Sequence, residues 1–317
     1  MVTDKDVLQA YERIHPYIRT TPLIRSAQFP EHELYLKLEC EQITRSFKLR
    51  GALSRMTLLT PEQKSTGVMT VSSGNHGAAV SFGARMMGIG RADIIVPQTA
   101  PESKTANIES FGGTVVKLGS CYDEAHTMGE AYKAYHKLNY IDAYNDDVAV
   151  YGGQGTVGLE ILQQLPDVDQ ILVPIGGGSL ITGIGAWVKA QNPRIRVIGL
   201  QTDACPAMEK SITDNVCYAE YPSKPSLCDA LVGGIGRLAF AMHSKVIDDV
   251  VVVSEASLWE MTRQAIHREG VQMEPSSALY AVAAQENPEL FRGRKTAVVI
   301  SGGNISRSQL QKLFPMK

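Results

Sequence analysis

The sequence predicts an α/β fold built on mostly parallel sheets, and three features of the chain support this prediction. Short segments rich in β-branched residues alternate with amphipathic segments along the whole chain. Several of the β-branched segments are almost wholly apolar, as expected where helices cover both faces of a parallel sheet. Glycine- or serine-rich loops follow several of them, at the strand ends where folds of this class bind ligands.

The 317 residues are enough for two lobes at about 150 residues each. The chain begins with a helical segment at 4–17, which ends before Thr21-Pro22. The predicted strands, bounded by Gly or Pro, cover 68–71, 93–96, 114–118, 170–174, 195–200, 249–253 and 296–300. The remaining predicted helices follow an apolar periodicity and cover 48–59, 77–87, 123–137, 156–165, 180–190, 255–268 and 306–313.

Composition and charge argue against several classes of partner. Lys and Arg number 31 and Asp and Glu number 33, a net charge of −2 without a long run of one sign, so neither nucleic acid nor an anionic membrane surface is expected. No segment reaches the ~18 apolar residues of a spanning helix, and Asp4, Asp6 and Glu12 interrupt any signal peptide. The five cysteines are odd in number and lack C-x-x-C spacing, which favours reduced thiols and a cytoplasmic protein.

The loop SSGNHG at 72–77 directly follows a predicted strand. Backbone N–H groups at the start of the next helix can bind a carboxylate or a phosphate. Ser72, Asn75 and His76 add side-chain donors. A helix cap alone needs only one such residue, so the loop indicates an anion site.

The segment Gly176-Gly177-Gly178-Ser179-Leu180 joins another predicted strand to a helix. Three consecutive glycines lose much backbone entropy on folding. Close approach of the backbone to a phosphate would explain that cost. A flexible turn is the alternative interpretation.

Two further loops suit a covalently bound ring. Lys48, in SFKLRGA at 46–52, is predicted near a helix N-terminus, where the helix dipole lowers the lysine pKa and increases the neutral amine that a nucleophile requires. Ser301, in SGGN at 301–304, follows an apolar strand, and the small residues leave room for a planar ring. Taken singly, a solvated lysine and an ordinary loop explain both segments.

Other chemistries fit the sequence less well. GQGTVG at 153–158 matches the dinucleotide fingerprint, but the next strand ends in Pro174 and the glycine triplet instead of an acidic residue. We interpret it as a tight turn leading into the helix at 156–165. The histidines are scattered without an H-E-x-x-H pattern, and no G-x-S-x-G motif occurs, so neither a metal nor a serine triad is expected.

Taken in order, these loops resemble the fold-type II pyridoxal-phosphate enzymes, within them the threonine/serine dehydratase and serine racemase group. The resemblance covers nearly the whole chain, from TPL at 21–23 through the four loops and EPSSA at 274–278. It implies the tryptophan synthase β-like architecture, with two open, twisted, mostly parallel sheets flanked by helices. It also implies a large cofactor-binding domain of residues 1–66 and 144–317, a small substrate-clamping domain of residues 67–143, and a homodimer.

The resemblance implies roles for the loop residues around pyridoxal 5'-phosphate. Lys48 would hold the cofactor covalently and later act as the base at Cα, Ser301 would meet the pyridine nitrogen, and Asn75 would bond the phenolic oxygen. The ring neighbours would be Phe47 and Glu274. The phosphate would be held by Gly176, Gly177, Gly178, Ser179 and Leu180. The substrate carboxylate would be bound by Ser72, Ser73, Asn75 and His76.

The implied activity is loss of water and ammonia from a β-hydroxy amino acid such as L-threonine or L-serine, giving a 2-oxo acid. A neutral Ser301 need not keep the pyridine nitrogen protonated, so the electron sink is weaker, which fits elimination of a β-hydroxyl.

The alternatives are an amino-acid (serine) racemase, a dehydratase for threo-3-hydroxyaspartate or β-phenylserine, and a non-catalytic ligand-binding relative, against which Lys48 argues. Ser73 stands where racemases carry a catalytic serine, and is therefore a second candidate catalytic residue. Gln201 and Ala207 lack the carboxylates of the metal site of eukaryotic racemases, so no divalent metal is expected there.

Overall fold

The computed structural model describes residues 1–145 and 147–315, and it confirms an α/β architecture with two mostly parallel sheets. The strands are β1 (Leu23–Arg25), β2 (Leu34–Lys37), β3 (Val68–Val71), β4 (Ala92–Val96), β5 (Thr114–Lys117), β6 (Asn139–Tyr140), β7 (Gln170–Pro174), β8 (Arg196–Thr202), β9 (Asp249–Val253) and β10 (Thr296–Val299). The six-stranded sheet has the order β1-β2-β10-β7-β8-β9, and the four-stranded sheet has the order β5-β4-β3-β6. Of the described strand pairs, β1 with β2 is antiparallel and the others are parallel.

Helices connect and cover these strands. They are α1 (Asp4–Ile14), α2 (Lys48–Met56), α3 (Pro61–Thr66), α4 (Asn75–Met86), α5 (Glu102–Ser110), α6 (Tyr122–His136), α7 (Val148–Gln164), α8 (Ser179–Gln191), α9 (Ala207–Asp214), α10 (Arg237–Val246), α11 (Glu255–Glu269), α12 (Leu279–Glu286) and α13 (Arg307–Leu313). Among the described residues, no helix combines the length and the apolar character needed to cross a membrane.

Both faces of each sheet are buried, as the apolar strands predict. In β7, Ile171 and Val173 belong to an apolar cluster with α7, α8 and α10, whereas Leu172 belongs to a cluster with α11 and α12. In β3, Val68 packs in one cluster and Met69 in another. The alternation of side chains along a strand thus sends neighbouring apolar residues to opposite faces.

The prediction for α7 is wrong at its start. The helix begins at Val148, so the GQGTVG segment at 153–158 lies inside it and is not a turn. A Cβ on Gly153 would lie 2.5 Å from the Arg50 carbonyl oxygen, and one on Gly155 would lie 2.6 Å from the Gly183 carbonyl oxygen. These glycines therefore let α7 pack closely against α2 and α8, which is a reason for glycine unrelated to nucleotide binding.

A fully buried ion-pair network ties α2 to the rest of the core. Arg50 Nε lies 2.8 Å from Glu39 Oε2, and Arg50 Nη1 lies 2.7 Å from Glu160 Oε1. Lys37 Nζ of β2 lies 2.6 Å from Glu160 Oε2. Since two cations meet two anions, the buried charges balance, and α2 is held at a fixed position relative to β2 and α7.

The strands divide by position along the chain. The four-stranded sheet takes its strands from the stretch between Val68 and Tyr140, and the six-stranded sheet takes its strands from both sides of that stretch. Domain boundaries after 66 and 143 stay a prediction.

Candidate active site

Three helices begin at one cavity, which lies beyond the carboxyl ends of β3, β7 and β10. Lys48 is the first residue of α2, Asn75 the first of α4 and Ser179 the first of α8. The first N–H groups of each helix have no partner within the helix, and the positive ends of three helix dipoles face the same space. The cavity is lined by Phe47, Lys48, Asn75, Pro174, Gly176, Gly177, Gly178, Ser179, Leu180, Ala230, Leu231, Glu274 and Ser301.

All ten residues predicted to contact a cofactor are among these lining residues. A larger open groove lies elsewhere, between α5 and β5, where Glu102, Glu109 and Lys117 are among its lining residues. None of the predicted site residues lines that groove. The cavity that contains the predicted cofactor contacts is therefore the smaller of the two.

Lys48 is partly accessible from the cavity and otherwise enclosed by protein. Its Nζ donates to the Ala143 carbonyl oxygen at 3.2 Å and lies 5.2 Å from the centre of the Phe47 ring and 6.0 Å from that of Tyr144. Burial lowers the pKa of Lys48 to about 8, although the carboxylates of Asp142 and Glu274 oppose this shift. The direction agrees with the expectation from the helix N-terminus, but the largest cause is burial.

Each glycine of the triplet has a structural reason within the protein. A Cβ on Gly177 would lie 2.2 Å from two carbon atoms of the Tyr144 ring, and one on Gly176 would lie 3.1 Å from the Ala230 carbonyl oxygen. Gly178 precedes α8 with φ +94°, a backbone conformation that favours glycine. Packing and backbone geometry thus explain the glycines, while the loop still presents the amide groups that begin α8.

Asn75 and Glu274 are far apart in sequence but meet in the cavity. Asn75 Nδ2 donates to both carboxylate oxygens of Glu274 at 3.1 Å, and Asn75 Oδ1 accepts from Asn304 Nδ2 at 2.7 Å. Burial raises the pKa of Glu274, while hydrogen bonds from Asn75 and Ser276 oppose the shift. The site therefore holds a carboxyl group that can keep a proton closer to neutrality than an exposed glutamate can.

Ser301 lies buried at the end of the last strand. Its Oγ is 3.3 Å from Ser277 Oγ, and the Ser277 hydroxyl is in turn hydrogen-bonded to the main chain of Gly302 at 2.9 Å. The Ser301 carbonyl oxygen accepts from the Phe47 N–H at 3.1 Å, which joins this loop to the residue before Lys48. The side-chain partner of the Ser301 hydroxyl is therefore the uncharged hydroxyl of Ser277.

Of the remaining predicted residues, Ser72 and Ser73 lie in the loop before α4 and His76 is the second residue of α4; none of them is among the described lining residues. Ser72 Oγ accepts from the Gly74 N–H at 3.3 Å, and Ser73 is partly exposed. His76 Nε2 donates to the Ile141 carbonyl oxygen at 2.9 Å, and burial, helped by the charge of Lys48, lowers the pKa of His76 to about 4. The neutral imidazole then has no N–H left for a substrate, so His76 can offer a substrate only its main-chain N–H in the first turn of α4.

Sequence reasoning missed the turn at 142–145. Asp142 accepts from the N–H groups of Tyr144 at 3.2 Å and Asn145 at 2.8 Å, which places the Ala143 carbonyl oxygen beside Lys48 and the Tyr144 ring against Gly177. An Asp that bonds the N–H two residues later is a known turn signal, and it could have located this turn. Ala230 and Leu231 lie in a long loop that carries no comparable signal.

At the position where no divalent metal is expected, the Gln201 side chain forms hydrogen bonds within the protein. Gln201 Oε1 accepts from the N–H groups of Met208 at 3.0 Å and Glu209 at 3.1 Å, at the start of α9. Among residues 1–145 and 147–315, no group of three or more His, Cys, Asp or Glu side chains could hold a metal ion. That no divalent metal binds there stays a prediction.

Comparison with known proteins agrees with this geometry. A family model described as "Pyridoxal-phosphate dependent enzyme" matches residues 14–303. The L-threonine ammonia-lyase of Thermotoga maritima is 35% identical, with 99% of this chain and 78% of that protein covered. The serine racemase of Dictyostelium discoideum is 33% identical, with 99% and 98% covered. The structure of maize serine racemase superposes with a TM-score of 0.91 at 30% identity, with 98% of this chain and 96% of that chain covered.

Proposed function

This chain belongs to the pyridoxal-phosphate dependent enzymes, and from that premise we propose that it removes water and ammonia from a β-hydroxy amino acid such as L-threonine or L-serine. The products are a 2-oxo acid and ammonia. The observation that carries the proposal is the position of Lys48. Its amine, whose pKa is lowered to about 8, reaches the same cavity as the first turn of α8 and the Ser301 hydroxyl.

The residues present fit pyridoxal 5'-phosphate. The glycine loop and the N-terminus of α8 suit a phosphate dianion, because unpaired N–H groups and the helix dipole both favour negative charge. Phe47 offers a ring face beside Lys48, and Ser301 offers a neutral hydroxyl in the same cavity. When bound, the cofactor supplies an electron sink for charge that develops at the substrate Cα.

We propose that the side chains share the remaining tasks as follows. Lys48 holds the cofactor and, once released, accepts the Cα proton at Nζ, because a large fraction of an amine with a pKa of about 8 is neutral near pH 8. Glu274, whose pKa burial raises, can gain or lose a proton at its carboxyl group, and Asn75 directs its NH2 group toward Glu274 and the cavity. The loop of Ser72 and Ser73, together with His76 in the first turn of α4, binds the substrate carboxylate through main-chain N–H groups.

A substrate panel tests this proposal. Purified protein with pyridoxal 5'-phosphate is given L-threonine, L-serine, threo-3-hydroxyaspartate and β-phenylserine, and ammonia, 2-oxo acid and inverted enantiomer are measured. Lys48→Ala should lose turnover by several orders of magnitude, whereas Lys5→Ala, at an exposed lysine of α1, should keep it. Full turnover by Lys48→Ala, or no 2-oxo acid from any of the four compounds, would refute the proposal.

Racemisation is the second candidate, and Ser73 is the residue that favours it. A racemase needs an acid or base on each face of Cα, and Ser73 lies partly exposed in the loop that begins α4. If the wild-type protein produces the D-enantiomer, Ser73→Ala should abolish that product and leave 2-oxo acid formation. Equal loss of both products in Ser73→Ala would contradict a separate role in racemisation.

We further propose a homodimer in the cytoplasm, and a small domain of residues 67–143 that closes on the substrate. Cys40, Cys205 and Cys228 are buried as thiols, as suits a reducing compartment. The separate four-stranded sheet supports the domain division. Light scattering of the purified protein measures the oligomeric state directly, and a monomer at micromolar concentration would contradict the dimer.

A further inference from the structure

Asn304 ends the SGGN motif but has no part in the function proposed above. We propose that it is a positioning residue, which fixes the end of the Asn75 amide that faces the cofactor. The inference rests on the proposed function only through the cofactor and the bond from Asn75 to its phenolic oxygen. It does not depend on which amino acid is the substrate.

The hydrogen bonds determine the orientation of both amides. Asn304 Nδ2 donates to the Thr44 carbonyl oxygen at 3.0 Å and to Asn75 Oδ1 at 2.7 Å. A main-chain carbonyl can only accept, so the Asn304 nitrogen must lie on that side. The Asn75 atom that meets this nitrogen must then be its oxygen, which leaves the Asn75 NH2 group directed at Glu274.

Glu274 cannot fix that orientation by itself. An ionised carboxylate only accepts and so selects the Asn75 NH2 group, but a protonated carboxyl group can also donate to an amide oxygen. Burial raises the pKa of Glu274, so its proton is more readily retained. Asn304 does not titrate, and it therefore keeps the Asn75 oxygen turned away from the cavity in both states of Glu274.

Main-chain bonds hold Asn304 in place. The Gly303 N–H donates to the Arg45 carbonyl oxygen at 2.9 Å, and the Phe47 N–H donates to the Ser301 carbonyl oxygen at 3.1 Å. These bonds join the loop at 301–304 to the segment that leads into α2. Because they involve no side-chain atom of Asn304, a substitution there can change the side chain and leave the loop in position.

Asn304→Asp is the sharpest test, because it exchanges the amide donor for an acceptor of nearly the same shape. Asn75 would then turn its NH2 group toward position 304 and its oxygen toward the cavity. An N–H donor favours the ionised form of a phenolic oxygen, so losing it raises the pKa of that oxygen. We expect the pH midpoint of the bound cofactor's visible absorbance to move up by about one pH unit.

Three further variants separate positioning from a general structural effect. Asn304→Ala frees the Asn75 amide without reversing it and should shift the midpoint less, in the same direction. Asn287→Asp makes the same exchange at an exposed asparagine and should leave the midpoint unchanged. In an Asn75→Ala background, Asn304→Asp should add no shift, because the amide it positions is absent.

The outcomes distinguish this inference from the proposed function. An unchanged midpoint in both Asn304 variants, with cofactor still bound, overturns the inference, even if thermal stability falls. A full additional shift in the Asn75→Ala background overturns it as well. A protein that binds the cofactor but converts no amino acid of the panel refutes the proposed function and still tests Asn304, because the absorbance does not require turnover.

Discussion

The amine of Lys48 sets the pH at which the apoprotein can capture its cofactor, because only the neutral amine attacks an aldehyde. Burial lowers the pKa of Lys48 from 10.5 to about 8. At about pH 7, roughly one molecule in ten then carries the neutral amine, against roughly one in three thousand for a lysine with a pKa of 10.5. On this ground alone, capture should be about 300-fold faster than at an ordinary lysine, and the rate should level off above about pH 8.

Stopped-flow absorbance of apoprotein mixed with pyridoxal 5'-phosphate measures this rate between about pH 6 and pH 10. Lys48→Ala gives the background, and Lys5→Ala should keep the wild-type midpoint. Glu274→Gln removes a negative charge that raises the pKa of Lys48, so its midpoint should fall below that of wild type. A rate that still rises tenfold per pH unit above about pH 9 would refute the lowered pKa.

The lowered pKa of Lys48 also predicts that the stability of the apoprotein changes with pH. In the folded apoprotein Lys48 loses its proton near pH 8, whereas in the unfolded chain it keeps the proton until about 10.5. Between these values the unfolded state binds more protons, so the contribution of Lys48 to the free energy of unfolding increases as the pH rises.

Two further substitutions test the packing around the site, and urea unfolding of the apoprotein measures both. Gly177→Ala places a methyl group 2.2 Å from the Tyr144 ring, which should lower the free energy of unfolding by about 1–3 kcal/mol and weaken cofactor binding. Gly90→Ala is the control, because a Cβ there meets no atom within 4 Å, and it should change the free energy of unfolding little. Equal effects of the two variants would contradict the close contact at Gly177. Arg50→Leu leaves two buried carboxylates short of a cation and should cost about 3–5 kcal/mol; a loss below about 1 kcal/mol would show that the network is not needed.

The sequence predicted local structure well where the signal is local. The strands at 68–71, 170–174 and 249–253 have the predicted ends, because β-branched runs bounded by Gly, Pro, Asp or Ser carry their own signal. The prediction missed β1, β2 and β6, which have two to four residues each. Segments this short contain too few residues for an alternating pattern to stand out.

The start of α7 shows the opposite error. Glycines at 153 and 155 indicated a turn, but close contact with the main chain of α2 and α8 makes glycine necessary inside this helix. Similarly, the glycine triplet was correctly placed at the cavity, but the Tyr144 ring is what excludes a side chain from Gly177. Which neighbour requires a glycine is a tertiary property.

The sequence by itself determined the alternation of strands and helices and the loops at the strand ends, which follow from local periodicity and from the rule that ligands bind at the carboxyl ends of parallel strands. The ten predicted cofactor contacts, all among the residues that line the cavity, came from the resemblance to a known family. Only the tertiary structure decided the lowered pKa of Lys48, the contact between Asn75 and Glu274, and the hydrogen bond from Asn304 to Asn75. Burial and hydrogen bonding depend on groups that are far apart in the chain, and folding alone brings those groups within reach of one another.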